Sequence, residues 1–202
     1  MAACLLAGGC AATQQTNGRY LEGIEPGPAR AALENMDSFP AEDGRILYDL
    51  ITAKGYKRGV EIGTGWGNAS VWLGIALRKN GGKLITIEID AWRAKTATQN
   101  FKKAGLDDVI ECRTADAFQE IPRLEGTFDF VFMDTGNGIH KKLMDLLWER
   151  LTPGAAITSH NANTFERHDP DFWRAITTGP NLDTKITRTP GGGISVSIKK
   201  KE

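Results

Sequence analysis

The sequence predicts an α/β fold: a doubly wound, Rossmann-like parallel sheet with helices on both faces. Three observations predict it. Strand-like and helix-like segments alternate along nearly the whole chain. An apolar strand over 58–62 runs straight into a glycine cluster, Gly63, Gly65 and Gly67, that opens a helix. Two late strands flank Pro190-Gly-Gly-Gly193, which suits an antiparallel hairpin. Composition agrees with one globular domain, since 202 residues with 41% hydrophobic and 25% charged side chains leave no room for wholesale disorder. Lys+Arg and Asp+Glu balance at 25 each, so nothing supports a nucleic-acid or membrane surface built on bulk positive charge. Three cysteines (Cys4, Cys10 and Cys112) are too few for a disulfide framework. No apolar run reaches the ~18 residues of a membrane span.

The elements follow in order. Residues 1–24 stand apart as an apolar segment and tether, leaving 25–202 as the expected domain. The run Leu-Leu-Ala-Gly-Gly-Cys ending at Cys10 resembles the close of a bacterial lipoprotein signal, with Cys10 as the lipidated residue. No basic region precedes it, so that reading requires translation to start upstream and implies an envelope location. The other reading is a plain terminus with incidental cysteines on a cytoplasmic protein. Helices are expected over 29–36 and 42–53, the second with apolar residues at helical spacing. A helix over 68–79 follows the glycine cluster, then a strand over 83–89. A helix over 91–104 closes at Gly105, and a strand spans 109–112. A short helix falls around Phe118 to Glu120, before an apolar strand over 128–133. An amphipathic helix covers 139–151 and a strand 155–158, after Pro153-Gly154. A helix over 172–177 and strands over 184–187 and 193–199 complete the chain.

Chemistry in such a sheet belongs at the carboxyl ends of the strands, near the switch in strand order. The first strand ends Val60-Glu61-Ile62-Gly63-Thr64-Gly65-Trp66-Gly67 and the second Thr86-Ile87-Glu88-Ile89-Asp90. Glu88 follows Gly63 by 25 residues, where a carboxylate accepts both hydroxyls of an adenosine ribose. The glycine spacing is G-x-G-x-G with Asn68 next, not the G-x-G-x-x-G that lays a pyrophosphate on a helix N-terminus. An acidic residue before the glycines, Glu61, suits the ammonium of an amino-acid tail. These features favour S-adenosylmethionine over a nicotinamide dinucleotide. No His-Glu-x-x-His, G-x-S-x-G elbow or Walker loop is present.

From about Met36 to Lys200 the chain resembles class I S-adenosylmethionine-dependent O-methyltransferases, near the catechol and caffeoyl-CoA enzymes and their small bacterial cousins. The matching blocks are VEIGTGWGNASVWLG (60–74), LITIEID (84–90), TADAF (114–118), FDFVFMD (128–134), LTPGAAITSHN (151–161) and GGGISVSIKK (191–200). The resemblance implies a seven-stranded sheet of order 3-2-1-4-5-7-6 with the last strand antiparallel. It implies that Glu61, Gly63, Gly67 and Ser70 line the methionine end of the cofactor, with Met36 contacting it through the backbone. It implies that Glu88 binds the ribose and Ile89 packs on the adenine. Asp116, with Ala117, meets the adenine amino group, although an N-cap on the short helix after it is an equally ordinary role for Asp116.

The reacting end departs from the family. The resemblance implies a divalent cation, Mg²⁺ or Mn²⁺, held by the aspartate ending the fourth strand and an Asp-Asn pair ending the fifth. Here those positions are Asp134, which also borders the cofactor, and His160-Asn161. An imidazole in place of a carboxylate shifts preference away from Mg²⁺ toward softer ions, and the alternative reading is that His160 only hydrogen-bonds at the strand end with no metal bound. The family's Asp-Ala-Asp-Lys-x-x-Tyr reads Asp134-Thr-Gly-Asn-Gly-Ile-His140, so Asn137 replaces the usual lysine base. Asn cannot take a proton at neutral pH, which leaves His140 and His160 as candidate bases, while the ordinary reading of His140 is a ring that caps or covers its helix and touches no substrate. Trp66, Trp72, Trp148 and Trp173 are read as core or acceptor-pocket aromatics. The expected activity is O-methylation of a small catechol- or phenol-like acceptor, with a homodimer in keeping with relatives. The contrasting reading is a degenerate fold acting as a binding or surface protein.

Overall fold

A computed structural model describes residues 18–35 and 38–201. Seven strands form one sheet: β1 (Arg58–Ile62), β2 (Lys83–Glu88), β3 (Ile110–Thr114), β4 (Phe128–Met133), β5 (Leu151–His160), β6 (Leu182–Thr187) and β7 (Ile194–Lys199). Their order is β3-β2-β1-β4-β5-β7-β6, parallel except for β7, which runs antiparallel to both neighbours. Strand order, hairpin and direction all match the expectation.

Alternating side chains along β4 explain the double winding. Phe130 and Phe132 are fully buried toward one face, and Val131 and Met133 toward the other. The first face is covered by α1 (Pro28–Asn35), α2 (Ala41–Lys54), α3 (Asn68–Lys79) and α4 (Ala91–Lys103), through Leu47, Ile51, Leu73, Leu77 and Phe101. The opposite face is covered by α5 (Ala117–Glu120), α6 (His140–Leu147), α7 (Phe165–His168) and α8 (Pro170–Thr178), through Leu143, Leu147, Phe165, Phe172 and Ile176.

Three local expectations are corrected. The helix expected to 151 ends at Leu147 and gives way to a single tight turn over Trp148–Arg150. Strand β5 begins at Leu151, ahead of Pro153-Gly154, because the pairing with β4 jumps from Phe128↔Leu151 to Phe130↔Ala156. That bulge absorbs the proline and a glycine at φ 85°, which a regular ladder would reject. Packing also starts N-terminal to residue 25. Leu21 and Ile24 are buried in the core, and Arg30 donates to both of their carbonyls at 3.2 and 2.8 Å. The expected lipidation site at Cys10 and the backbone contact at Met36 lie outside the described residues. Among the described residues no helix is long and apolar enough to cross a membrane.

Candidate active site

A cleft of about 660 Å³ opens at the carboxyl ends of β1, β2 and β4, where the strand order switches direction. Of the residues expected to bind a cofactor, Gly63, Glu88, Ile89, Asp116, Ala117 and Asp134 line it. The end of β4 bonds directly to β1, with the Asp134 N–H donating to Ile62 O at 2.9 Å. Gly63 is dictated by this closeness: a Cβ there would collide with the Asp134 carbonyl, and its φ is 93°. Gly67 has a packing reason instead, since a Cβ would press into the Phe101 ring.

Glu88 is held as a binding carboxylate. Its Oε2 accepts from the Gly65 N–H at 2.8 Å and its Oε1 from the Asp90 N–H at 3.0 Å. Each oxygen keeps a second lone pair, enough for two ribose hydroxyls. Asp116 caps α5 by accepting from the Phe118 N–H at 2.9 Å and also borders the cleft, so the two roles read from sequence coexist. Exposed apolar side chains, Ile89 at 71% and Phe118 at 38%, stand at the mouth where a flat heterocycle would rest. Of the four tryptophans singled out, Trp66 alone borders the cleft, and Trp72 is buried in the core.

Glu61 and Ser70 lie beneath the cleft and do not line it. Both are fully buried, and the Ser70 hydroxyl donates to Glu61 Oε2. Burial pushes the Glu61 carboxyl up to about 8, against the pull of that hydrogen bond. Its other oxygen, Oε1, has no hydrogen-bond partner.

The two candidate bases separate. His140 is 1% exposed and does not reach the cleft. Its Nδ1 lies 2.8 Å from Asp169, and its ring packs on Phe165 and Phe172. Burial lowers its pKa despite the Asp169 carboxylate, so the ring is a neutral tie between α6 and the α7–α8 junction. His160 stands behind Asp134 with Nδ1 at 3.3 Å from Asp134 Oδ1. Its Nε2 faces Asp43 Oδ2 at 3.0 Å and the Gly191 carbonyl at 3.2 Å. Burial works against the charged ring, but the carboxylates of Asp134 and Asp43 outweigh it and hold the pKa at about 9. Asp43, itself fully buried, was not anticipated. It occupies the apolar stripe of α2 with Leu47 and Ile51, and an acid on a buried stripe was the available signal.

The cation set expected at Asp134, His160 and Asn161 does not fit these contacts. A ligating imidazole needs a free nitrogen lone pair, and both ring nitrogens here face only acceptors. Asn161 is exposed, in the left-handed region at φ 63°.

Fold and site together define a small-molecule cleft on a doubly wound sheet whose closing strand runs antiparallel. The sequence profile of a family described as a methyltransferase domain matches residues 60–162, half of the chain, and the protein belongs to that family. It is 31% identical over 128 residues to a catechol O-methyltransferase of Niastella koreensis, covering 61% of this chain and 58% of that one. A catechol O-methyltransferase of Mycobacterium tuberculosis is 34% identical over 95 residues, covering 46% and 43%. The chain thus spans about half the length of the curated relatives it matches. Among solved structures, an O-methyltransferase of Streptomyces achromogenes in complex with SAM superposes with TM-score 0.77 at 20% identity, covering 93% of this chain and 96% of that one. An O-methyltransferase of Bacillus cereus in complex with SAH gives 0.71 at 20% identity, covering 98% and 94%. At such identities the likeness is one of fold.

Proposed function

We propose that the protein transfers a methyl group from S-adenosylmethionine to a hydroxyl oxygen of a small catechol- or phenol-like acceptor. The observation that carries this reading is Glu88, oriented by two backbone donors at the second strand end with lone pairs free toward the cleft. The names carried by the relatives support the acceptor class.

In this reading Glu88 holds the ribose, Asp116 the adenine amino group, and Ile89 and Phe118 the faces of the base. When bound, the cofactor supplies an already activated methyl group on a sulfonium, so the protein mainly aligns it with an oxygen. Asp134 is the carboxylate that both borders the cleft and is charge-balanced, its side chain 28% exposed and backed by His160. It accepts the acceptor's hydroxyl hydrogen and turns a lone pair of that oxygen toward the methyl. His160 keeps Asp134 in place and takes no part as a free base. Such chemistry draws on the cytoplasmic cofactor supply.

A second reading, a fold that binds the cofactor without turning it over, is favoured by one observation. His140 keeps its unpartnered Nε2 buried away from the cleft, and both His160 nitrogens face acceptors. Calorimetric titration with S-adenosylmethionine, S-adenosylhomocysteine and NAD tests the first step. Micromolar binding of the adenosyl pair alone is expected, and its absence would overturn the proposal. Methyl transfer from labelled cofactor to a panel of catechols and phenols then separates the two readings.

A further inference from the structure

Three separate elements converge on the His160 ring. Asp43 reaches the ring from α2, Asp134 from the end of β4, and the Gly191 carbonyl from the β6–β7 connection. All three are acceptors, so each ring nitrogen faces an acceptor and neither turns a lone pair toward a metal site. The imidazole therefore stands between two carboxylates, in the place a bridging cation would take. We propose that His160 takes the place of a divalent cation, bridging Asp43 and Asp134, so that this centre operates without Mg²⁺ or Mn²⁺.

The surroundings are built closely around the ring. Phe39 packs against it with centroids 4.9 Å apart, closing one side with an apolar face. The glycine connection closes another. A Cβ at Gly192 would stand 2.9 Å from His160 Nε2 and 2.8 Å from Asn161 Oδ1, so only glycine passes here without displacing the pair. Gly191 is equally tight, with a Cβ 2.9 Å from Asp43 Oδ2. The connection is fastened in that position by Thr189, whose hydroxyl donates to Asp43 Oδ1 at 2.6 Å and accepts from the Gly193 N–H at 2.9 Å. The Asp43 carboxylate thus has both oxygens committed, one to the ring and one to the strap above it. Mg²⁺ demands an octahedral shell and keeps several waters. Both Asp43 oxygens and the Asp134 oxygen facing the ring are already engaged, so a cation could not share them without displacing the imidazole.

The inference is independent of the methyl-transfer reading, because it concerns an ion and not the cofactor. Its test is Mn²⁺ binding to the full chain after chelator treatment, followed by the paramagnetic resonance signal of the free ion. The wild-type protein is expected to leave that signal unchanged at millimolar Mn²⁺. His160→Asp, which returns a carboxylate to the position, is expected to bind Mn²⁺ at least tenfold more tightly than wild type. One tight Mn²⁺ per wild-type chain, lost in Asp134→Asn, would overturn the proposal. Silence in both wild type and His160→Asp would also overturn it, since the carboxylates would then not form a cation's cage at all. Should His160→Asp fail to fold, thermal melting of wild type decides. An unchanged midpoint with Mn²⁺ supports the proposal, and a rise that Asp134→Asn abolishes refutes it. S-adenosylhomocysteine titration run alongside reports on the cofactor site separately.

Discussion

Asp43 Oδ2 lies 3.0 Å from Nε2 of His160, a residue 117 positions further along the chain, and both side chains are buried. The pair joins the second helix to the end of the fifth strand. It supplies half of the charge balance that keeps Asp134 in place at the edge of the cleft.

Removing one member of such a pair leaves the other buried and uncompensated. Asp43→Asn should therefore lower unfolding free energy by about 3 kcal/mol, because His160 loses a carboxylate and Thr189 a charged acceptor. Urea denaturation at neutral pH measures it. A change within experimental error would mean the ring is not held as described.

Glu88 is expected to dominate cofactor affinity. Glu88→Ala should weaken S-adenosylhomocysteine binding ten- to hundredfold, the worth of one or two hydrogen bonds to a charged group. Undiminished affinity in calorimetry would remove Glu88 from the ribose.

The Glu61 carboxyl gives the stability a pH signature. Its pKa is about 8 in the folded state and 4.5 when unperturbed, so the folded state holds the proton more tightly. Stability from this group is complete below 4.5 and is lost as pH rises through about 8. His160 acts in the same direction between 6.5 and about 9. Wild type should lose several kcal/mol over the Glu61 window, and Glu61→Gln should flatten that part of the profile. Parallel curves for the two proteins would show that Glu61 is ionised in the free protein.

His140→Ala separates structure from chemistry. Loss of the Asp169 contact and of packing on Phe165 and Phe172 should cost about 2–4 kcal/mol. Cofactor affinity should stay within twofold of wild type. A large drop in affinity without a stability change would place the ring at the cleft instead.

Most of the fold was legible because its signals are local. Alternation along β4, the glycine run after β1 and the Pro190–Gly193 turn each report on neighbours in sequence. What escaped depends on distant partners. Pro153-Gly154 reads as a break, and only the β4 pairing reveals a bulge that keeps both inside β5. At the site, Glu88 and Asp116 were legible because strand ends and helix starts dictate their positions. His140 stayed open between base and structural ring because its spacing from Asp134 says nothing of Asp169, which meets it from the α7–α8 junction. Asp43 belongs to no motif, and its role exists only once residues 160 and 189 have come to it.

The hydrogen bond from Thr189 to Asp43 spans 146 residues, and that separation sets an order of assembly. During synthesis the helix carrying Asp43 emerges early, and its carboxylate has neither of its partners until almost the entire chain has followed. The cleft between β1, β2 and β4 takes no lining residue beyond Leu143, so its walls can form while the C-terminal hairpin is still missing. The part that recognises a small molecule is thus complete before the part that orients the reacting oxygen. An interrupted or C-terminally clipped chain would keep a recognisable pocket and lose its chemistry.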